Sequence, residues 1–196
     1  MARISKLDPK DWDPELRDMT RADSATPLEQ GLMRMFAHFP EGAKGFALFG
    51  GAMKMNRTLP SRLLELVRLR VAFFNQCRSC MAIRYTDALN DGVTEDLVCS
   101  LEKPAEAPNL TDAEKVAIEY GEKLATDHLS IDEDMYDRLR EHFSEEQIVE
   151  LGMNIALFVG FGRLAATWHM VEELPEKFQE SEEVIAPWYE ESVVVR

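Results

Sequence analysis

Apolar residues recur at helical spacing along most of the chain, and the polar residues between them include a set of helix-start signals. Thr26-Pro27-Leu28-Glu29 combines a capping threonine, a proline at the first helical position and a glutamate placed to bond back to the cap. Leu28, Leu32, Met35, Phe36 and Phe39 then form one face, so a helix is predicted from 26 to Pro40. A second helix is predicted from Glu41 to Lys54, weakened by Gly42, Gly45 and the Gly50-Gly51 pair. A third opens at Thr58-Leu59-Pro60 and carries Leu63, Leu66, Val67, Val71 and Phe74. A fourth is expected from Cys77 to about Asn90, where Asp91-Gly92 stops it, and a short fifth begins at Thr94. Residues 101–110, with Pro104 and Pro108, read as a linker.

Three further start signals follow: Thr111 to Glu114, Ser130 to Glu133 and Ser144 to Gln147. The first predicts a helix to about Thr126 and the second one to about His142. The third opens a long apolar helix with a bend expected near Gly160-Phe161-Gly162. Residues 1–25 are polar and read as a loosely ordered arm with Trp12 as an anchor. Residues 173–196 read as an acidic tail carrying Trp188 and Tyr189, its final Ser-Val-Val-Val either a short extended segment or disordered. With no convincing strand pattern elsewhere, the expectation is an all-α protein, with a single helical domain over 26–172 between the arm and the tail.

One internal repeat is visible. An offset of 85 residues aligns Glu65-Leu66 with Glu150-Leu151 and Phe73 with Phe158, and sets Gly162 opposite Cys77 and His169 opposite Arg84. If the match is more than chance, it describes a duplicated helical hairpin, and the helices at 60–90 and 145–170 should superpose.

The charge changes the picture by exclusion. A net charge of −14 argues against nucleic-acid or anionic-membrane partners, which need basic surfaces. The N-terminal MARISKLDPKDWDPEL has no apolar signal-like core. The longest apolar run, Leu151 to Gly162, is shorter than the roughly 20 residues needed to span a bilayer. Three cysteines do not make a disulfide framework. A cytoplasmic location fits best, and there a CxxC is more often catalytic or metal-binding than structural.

That CxxC is Cys77-Arg78-Ser79-Cys80. It can close and reopen a disulfide, or supply half of a metal site. Zinc would need two more ligands, and Cys99, His38, His128, His142 and His169 are scattered. Cys99 reads as a core cysteine. On a helix the two thiols share a face, and at the first turn free backbone N–H groups stabilise a thiolate. Arg84 follows Cys80 by four residues, one turn along that stripe, and its charge could lower the thiol pKa further, though it cannot shuttle a proton.

Glu65 lies twelve residues before Cys77. On an unbroken helix that is about 18 Å along the axis and about 120° around it, so the two could not meet. They meet only if the helix breaks near Asn75-Gln76 and the CxxC opens a new one. A plainer reading pairs Glu65 with Arg62 or Arg68, each three residues away.

Over about Leu28 to Met170, and most densely from Leu59-Pro60-Ser61-Arg62-Leu63-Leu64-Glu65 to the CxxC, the chain resembles the alkyl hydroperoxidase D-like branch of the carboxymuconolactone decarboxylase superfamily. That family pattern is a Glu, a CxxC twelve residues later, and a His four residues beyond the second Cys. Glu65, Cys77 and Cys80 match it. The resemblance implies an all-helical bundle that assembles as a dimer, trimer or hexamer. It implies a peroxidatic Cys80, a resolving Cys77 and Glu65 as the distal base of a proton relay. It also implies a hydroperoxide substrate, no bound cofactor or metal, and reduction by an external dithiol, of lipoyl type on a carrier protein or thioredoxin-like.

Arg84 stands where the family has its relay His, and Ser79 where some members carry a second His. A water, Tyr85 or His169 would then take over the proton, or Glu65 and Arg84 would form an ion pair that tunes the thiols. The resemblance thus implies a thiol-dependent peroxidase. The alternatives are a general thiol–disulfide oxidoreductase and a non-enzymatic redox-sensing or ligand-binding module.

Overall fold

Side-chain caps set several helix starts where the sequence places them. Thr26, Thr111 and Ser144 each accept the backbone N–H three residues on, and Glu29, Glu114 and Gln147 complete the boxes. The computed structural model describes residues 2–179, 184–188 and 191–196. Its elements in chain order are α1 Pro14–Met19, α2 Pro27–Gln30, α3 Met33–Phe36, α4 Pro40–Met55, α5 Ser61–Asn75, α6 Arg78–Ala82, β1 Ile83–Tyr85, α7 Thr86–Asn90, α8 Glu95–Cys99, α9 Asp112–Thr126, α10 Glu133–Arg140, α11 Glu145–Trp168, α12 Glu176–Gln179 and β2 Val193–Val195. The all-α expectation holds, with one small exception in β1 and β2.

The core is built where α5, α9 and α11 pack on one another. Leu66, Val67 and Val71 of α5, Ala117 and Ile118 of α9, and Leu151 and Ile155 of α11 are buried there. Each of the leucines and isoleucines fully buried here contributes about 1.5–3 kcal/mol. By length and composition α11 could cross a bilayer. Its apolar stretch is therefore longer than the run from Leu151 to Gly162 suggests. Its face bearing Ile148, Leu151, Ile155 and Ala165 is buried, however, and it packs on α5 and α9 as a core helix.

Four expectations are corrected. The helix predicted from 26 to 40 is two short ones, α2 and α3, because Gly31 adopts φ 47°, which ends α2. The helix from 130 starts later, with Asp132 rather than Ser130 as its cap. The N-terminal arm is not loose: Trp12, Leu16 and Ala22 are buried with Ala37 and Ala43 in a cluster of their own, and α1 is capped by Asp13. Finally, the helix from the CxxC to Asn90 is interrupted by β1, which pairs in parallel with β2, Ile83 opposite Val193 and Tyr85 opposite Val195. The chain's last segment is therefore extended and docked beside the CxxC. Tyr189, the tail's other aromatic beside Trp188, lies outside the described residues.

The proposed duplication does not hold in its register. Offset alignment sets Gln76, where α5 has ended, opposite Phe161, in the middle of the unbroken α11. Helix α11 runs without a break through Gly160-Phe161-Gly162.

Candidate active site at the CxxC

The site begins with the end of α5. Asn75 is its last residue, and Gln76 turns the chain in the left-handed region, φ 48° and ψ 38°. That conformation is uncommon for a residue with a Cβ, and Gln76 is held in it at both ends. Its backbone N–H donates to Phe73 O at 3.0 Å, and its side-chain amide donates to Ile185 O and accepts from Ile185 N, both at 3.0 Å. Asn75 is fixed as well, donating to Phe158 O and accepting from Arg163 Nε. Gly162 lets α11 come this close, since a Cβ there would lie 2.5 Å from Asn75 Nδ2. The break required at Asn75-Gln76 is present.

Cys77 is extended and caps α6, its sulfur accepting from Cys80 N at 3.4 Å. The two sulfurs are joined as a disulfide, with the Cα atoms 5.2 Å apart. Helix α6 lasts five residues. The sulfurs therefore sit beside first-turn N–H groups rather than at the end of a long dipole. Cys77 is fully buried. Cys80 is half-buried and opens, with Ser79, on a cavity of about 520 Å³. Leu28, Phe46, Met53, Leu157 and Phe161 make much of its wall apolar, and Glu65, Arg68 and Tyr85 bring polar groups to it.

Glu65 is buried and belongs to this wall, but its partner is Arg68 rather than Arg84. Arg68 Nε and Nη2 bond the two carboxylate oxygens at 2.7 and 2.8 Å. The same guanidinium reaches Cys80 O at 2.5 Å and Ile83 O at 3.0 Å, tying α5 to both ends of the turn after the CxxC. Burial works against the Arg68 charge, but the charge and hydrogen bonds of Glu65 outweigh it and hold the pKa above the ordinary arginine value. Arg62, the other candidate partner, pairs with Glu114 instead. Sequence reasoning found the Glu65–Arg68 pair as its plain reading and missed that Arg68 also holds Cys80. The available signal was an arginine three residues from Glu65 on a helix side that is otherwise apolar.

Arg84 is corrected more fully. Strand alternation turns Ile83 and Tyr85 to the cavity, and both line it. Arg84 points the other way. It is 1% exposed, and it donates to Pro187 O at 2.9 Å, to Met81 O at 2.8 Å and to both Glu95 carboxylate oxygens at 3.1 Å. It anchors the tail and does not line the cavity. The one-turn spacing from Cys80 to Arg84 fails because α6 has ended before residue 84.

Of the two side chains named as substitutes, His169 is outside the cavity lining, closing α11 at φ 57°. Burial, then the charges of the N-terminus, Arg3 and Arg78, lower its pKa. Tyr85 does line the cavity, with its ring 5.0 Å from the Arg68 guanidinium carbon. Burial pushes its phenol up, with Arg68 opposing. At the rim, Val195 O accepts from Thr86 Oγ1, and Arg196 pairs with Glu29. Cys99 is half-buried and packs against the main core. Among the described residues no group of three or more His, Cys, Asp or Glu could hold a metal ion.

Residues 40–123, which include Glu65, both thiols and Arg84, match the carboxymuconolactone decarboxylase family model. The uncharacterised protein YdfG of Bacillus subtilis is 30% identical over 102 residues, 52% of this chain and 69% of that protein. An uncharacterised Mycobacterium tuberculosis protein is 32% identical over 112 residues, but these make up 39% of its length. Among solved structures, the alkylhydroperoxidase AhpD core of an uncharacterised peroxidase-related protein from Ralstonia eutropha superposes with a TM-score of 0.70 at 17% identity, covering 91% of this chain and 94% of that one. A protein of unknown function from Agrobacterium tumefaciens, linked to AhpD and antioxidant defence, gives 0.57 at 22% identity over 69% of this chain and 92% of its own. In fold the chain is thus AhpD-like, and by sequence it belongs to the carboxymuconolactone decarboxylase family.

Proposed function

We propose that the protein is a thiol-dependent peroxidase that reduces organic hydroperoxides through a Cys80–Cys77 dithiol–disulfide cycle. The observation that carries this reading is the asymmetry of the pair: Cys80 opens on an apolar cavity while Cys77 is fully buried behind it. An attacking thiol needs access and a resolving thiol needs proximity. The Cys80 thiolate takes the distal oxygen of the hydroperoxide and becomes a sulfenic acid. Cys77 then displaces water from it, giving the disulfide present in the structure. The names of the AhpD-like neighbours, one peroxidase-related and one linked to antioxidant defence, support the same reading.

Glu65, with both oxygens taken by Arg68, acts as a positioning residue: it holds the guanidinium that holds the Cys80 carbonyl. That commitment of Glu65 to Arg68 favours a second reading, thiol–disulfide exchange without a peroxide step, because exchange needs no relay carboxylate. Cys80→Ser separates the two readings. A peroxidase loses hydroperoxide consumption itself, whereas an exchange enzyme shows none to lose. A redox sensor would form the disulfide once and not turn over.

The external reductant is a dithiol of lipoyl or thioredoxin-like type, with the lipoyl form suited to the apolar cavity. The cytoplasm, where thiols are kept reduced, is the setting for this cycle. Leu48 and Met55 of α4 and Val149 and Met153 of α11 are exposed apolar side chains, and a second copy of this chain is their proposed partner. Light scattering tests this, and a monomer mass at micromolar protein would contradict it.

A further inference from the structure

Cleavage of an alkyl hydroperoxide by a thiolate expels an alkoxide, a strong base that leaves far faster if it is handed a proton. General acids contribute about 10²–10⁴-fold to such steps. In this chain the groups expected to manage that proton are outside the cavity or already engaged. Arg84 faces the tail, Glu65 has both oxygens on Arg68, and His169 is outside the cavity.

Tyr85 differs in three respects. Its side chain lines the same cavity as Cys80. Its hydroxyl has no hydrogen-bond partner among the described residues, unlike the polar atoms of Glu65 and Arg68 on the same wall. Its position is tied to the thiol through one group: the Arg68 guanidinium, which lies 5.0 Å from the Tyr85 ring centroid and bonds Cys80 O at 2.5 Å. β1 fixes its direction, since pairing of Tyr85 with Val195 sets the residue's two faces.

We propose that Tyr85 is the acid of the peroxide step, giving its hydroxyl proton to the alkoxide as Cys80 breaks the O–O bond; this rests on the peroxidase reading above. The Cys80 sulfur forms a bond to the distal oxygen, which keeps its hydrogen as S–O–H, and the O–O pair departs on the proximal oxygen. That oxygen takes the Tyr85 proton and leaves as the alcohol. The phenolate left behind lies against the Arg68 cation, which stabilises it until water returns the proton. The sum is thiolate, hydroperoxide and one proton giving sulfenic acid and alcohol. Burial keeps the phenol protonated, and so a donor, before each turnover.

The test exploits the leaving group. A peracid expels a carboxylate, which needs no proton, whereas tert-butyl hydroperoxide expels an alkoxide, which does. Single-turnover rates are measured with pre-reduced wild type, Tyr85→Phe and Tyr85→His. Tyr85→Phe keeps the ring on Arg68 and is expected to slow tert-butyl hydroperoxide about 100-fold or more while changing peracetic acid less than about 3-fold. Tyr85→His, with an imidazole donor, is expected to recover part of the alkyl rate. The midpoint of urea unfolding and the number of titratable thiols after reduction check that the Tyr85→Phe protein is folded with its site reduced. Equal slowing of both peroxides, or of neither, overturns the role of Tyr85 and leaves the peroxidase reading standing. A wild type that consumes neither peroxide faster than Cys80→Ser overturns both.

Discussion

Two arginines are buried on opposite sides of the turn that follows the CxxC, and they do opposite jobs. Arg68 comes up from α5, pairs with Glu65, which is 3% exposed, and holds Cys80 and Ile83 on the cavity side. Arg84 comes from β1 and pairs with Glu95, whose side chain is 52% exposed, holding Pro187 on the tail side. The charge and the chemistry of the two side chains are the same. What differs is the depth of the partner and one change from helix to strand, which sends residue 84 away from the thiols. A cation in the right place along the sequence is therefore no guide to the cation that meets the sulfur-bearing turn.

The largest effect that would sharpen this comparison is expected from Arg68→Met. It strands a buried carboxylate and frees the Cys80 carbonyl, so a loss of about 3–5 kcal/mol is expected in urea unfolding. Glu65→Leu combined with Arg68→Met should recover part of that loss, because no charge is then left unpaired; a double variant as unstable as the single would break the argument.

Arg84→Met comes next, at about 1–3 kcal/mol, through the carbonyls of Met81 and Pro187 left without donors. Its signature should be local: faster amide exchange over 193–195, with the peroxide step changed little. Arg84→His, which installs the family's relay residue, should raise hydroperoxide turnover by less than about 2-fold, since position 84 faces the tail; a 10-fold gain, about 1.4 kcal/mol, would show that this side chain reaches the cavity after all. The smallest effect belongs to Glu95→Gln, about 1 kcal/mol, because the glutamine oxygen still accepts from Arg84 and the carbonyls of Met81 and Pro187 keep its other donors bonded.

The parts of this molecule that could be read from the sequence are those decided within a few residues. The boxes at Thr26, Thr111 and Ser144 need only their own third residue. The break after Asn75 is the condition that helix geometry sets for Glu65 to approach a CxxC twelve residues away, and α5 ends there. The pairing of Glu65 with Arg68 is an i, i+3 contact on one helix.

What could not be read depends on distant partners. Ile83-Arg84-Tyr85 lies in a stretch that suits a helix, and only Val193–Val195, more than a hundred residues later, turns it into a strand. With the strand go the direction of Arg84, the cavity-facing place of Tyr85 and the role of Arg68. Trp12 was legible as an anchor, but the cluster it forms with Ala37 and Ala43 draws on small residues that carry little apolar signal of their own.

The measurement that bears most directly on the central claim is consumption of an organic hydroperoxide by pre-reduced protein with excess dihydrolipoamide, followed by stopped flow beside Cys77→Ser and Cys80→Ser. The account predicts many turnovers in the wild type, none in Cys80→Ser, and much slower turnover in Cys77→Ser, where the external dithiol must resolve the sulfenic acid in place of the buried thiol. Hydroperoxide consumption that continues undiminished in Cys80→Ser would contradict it.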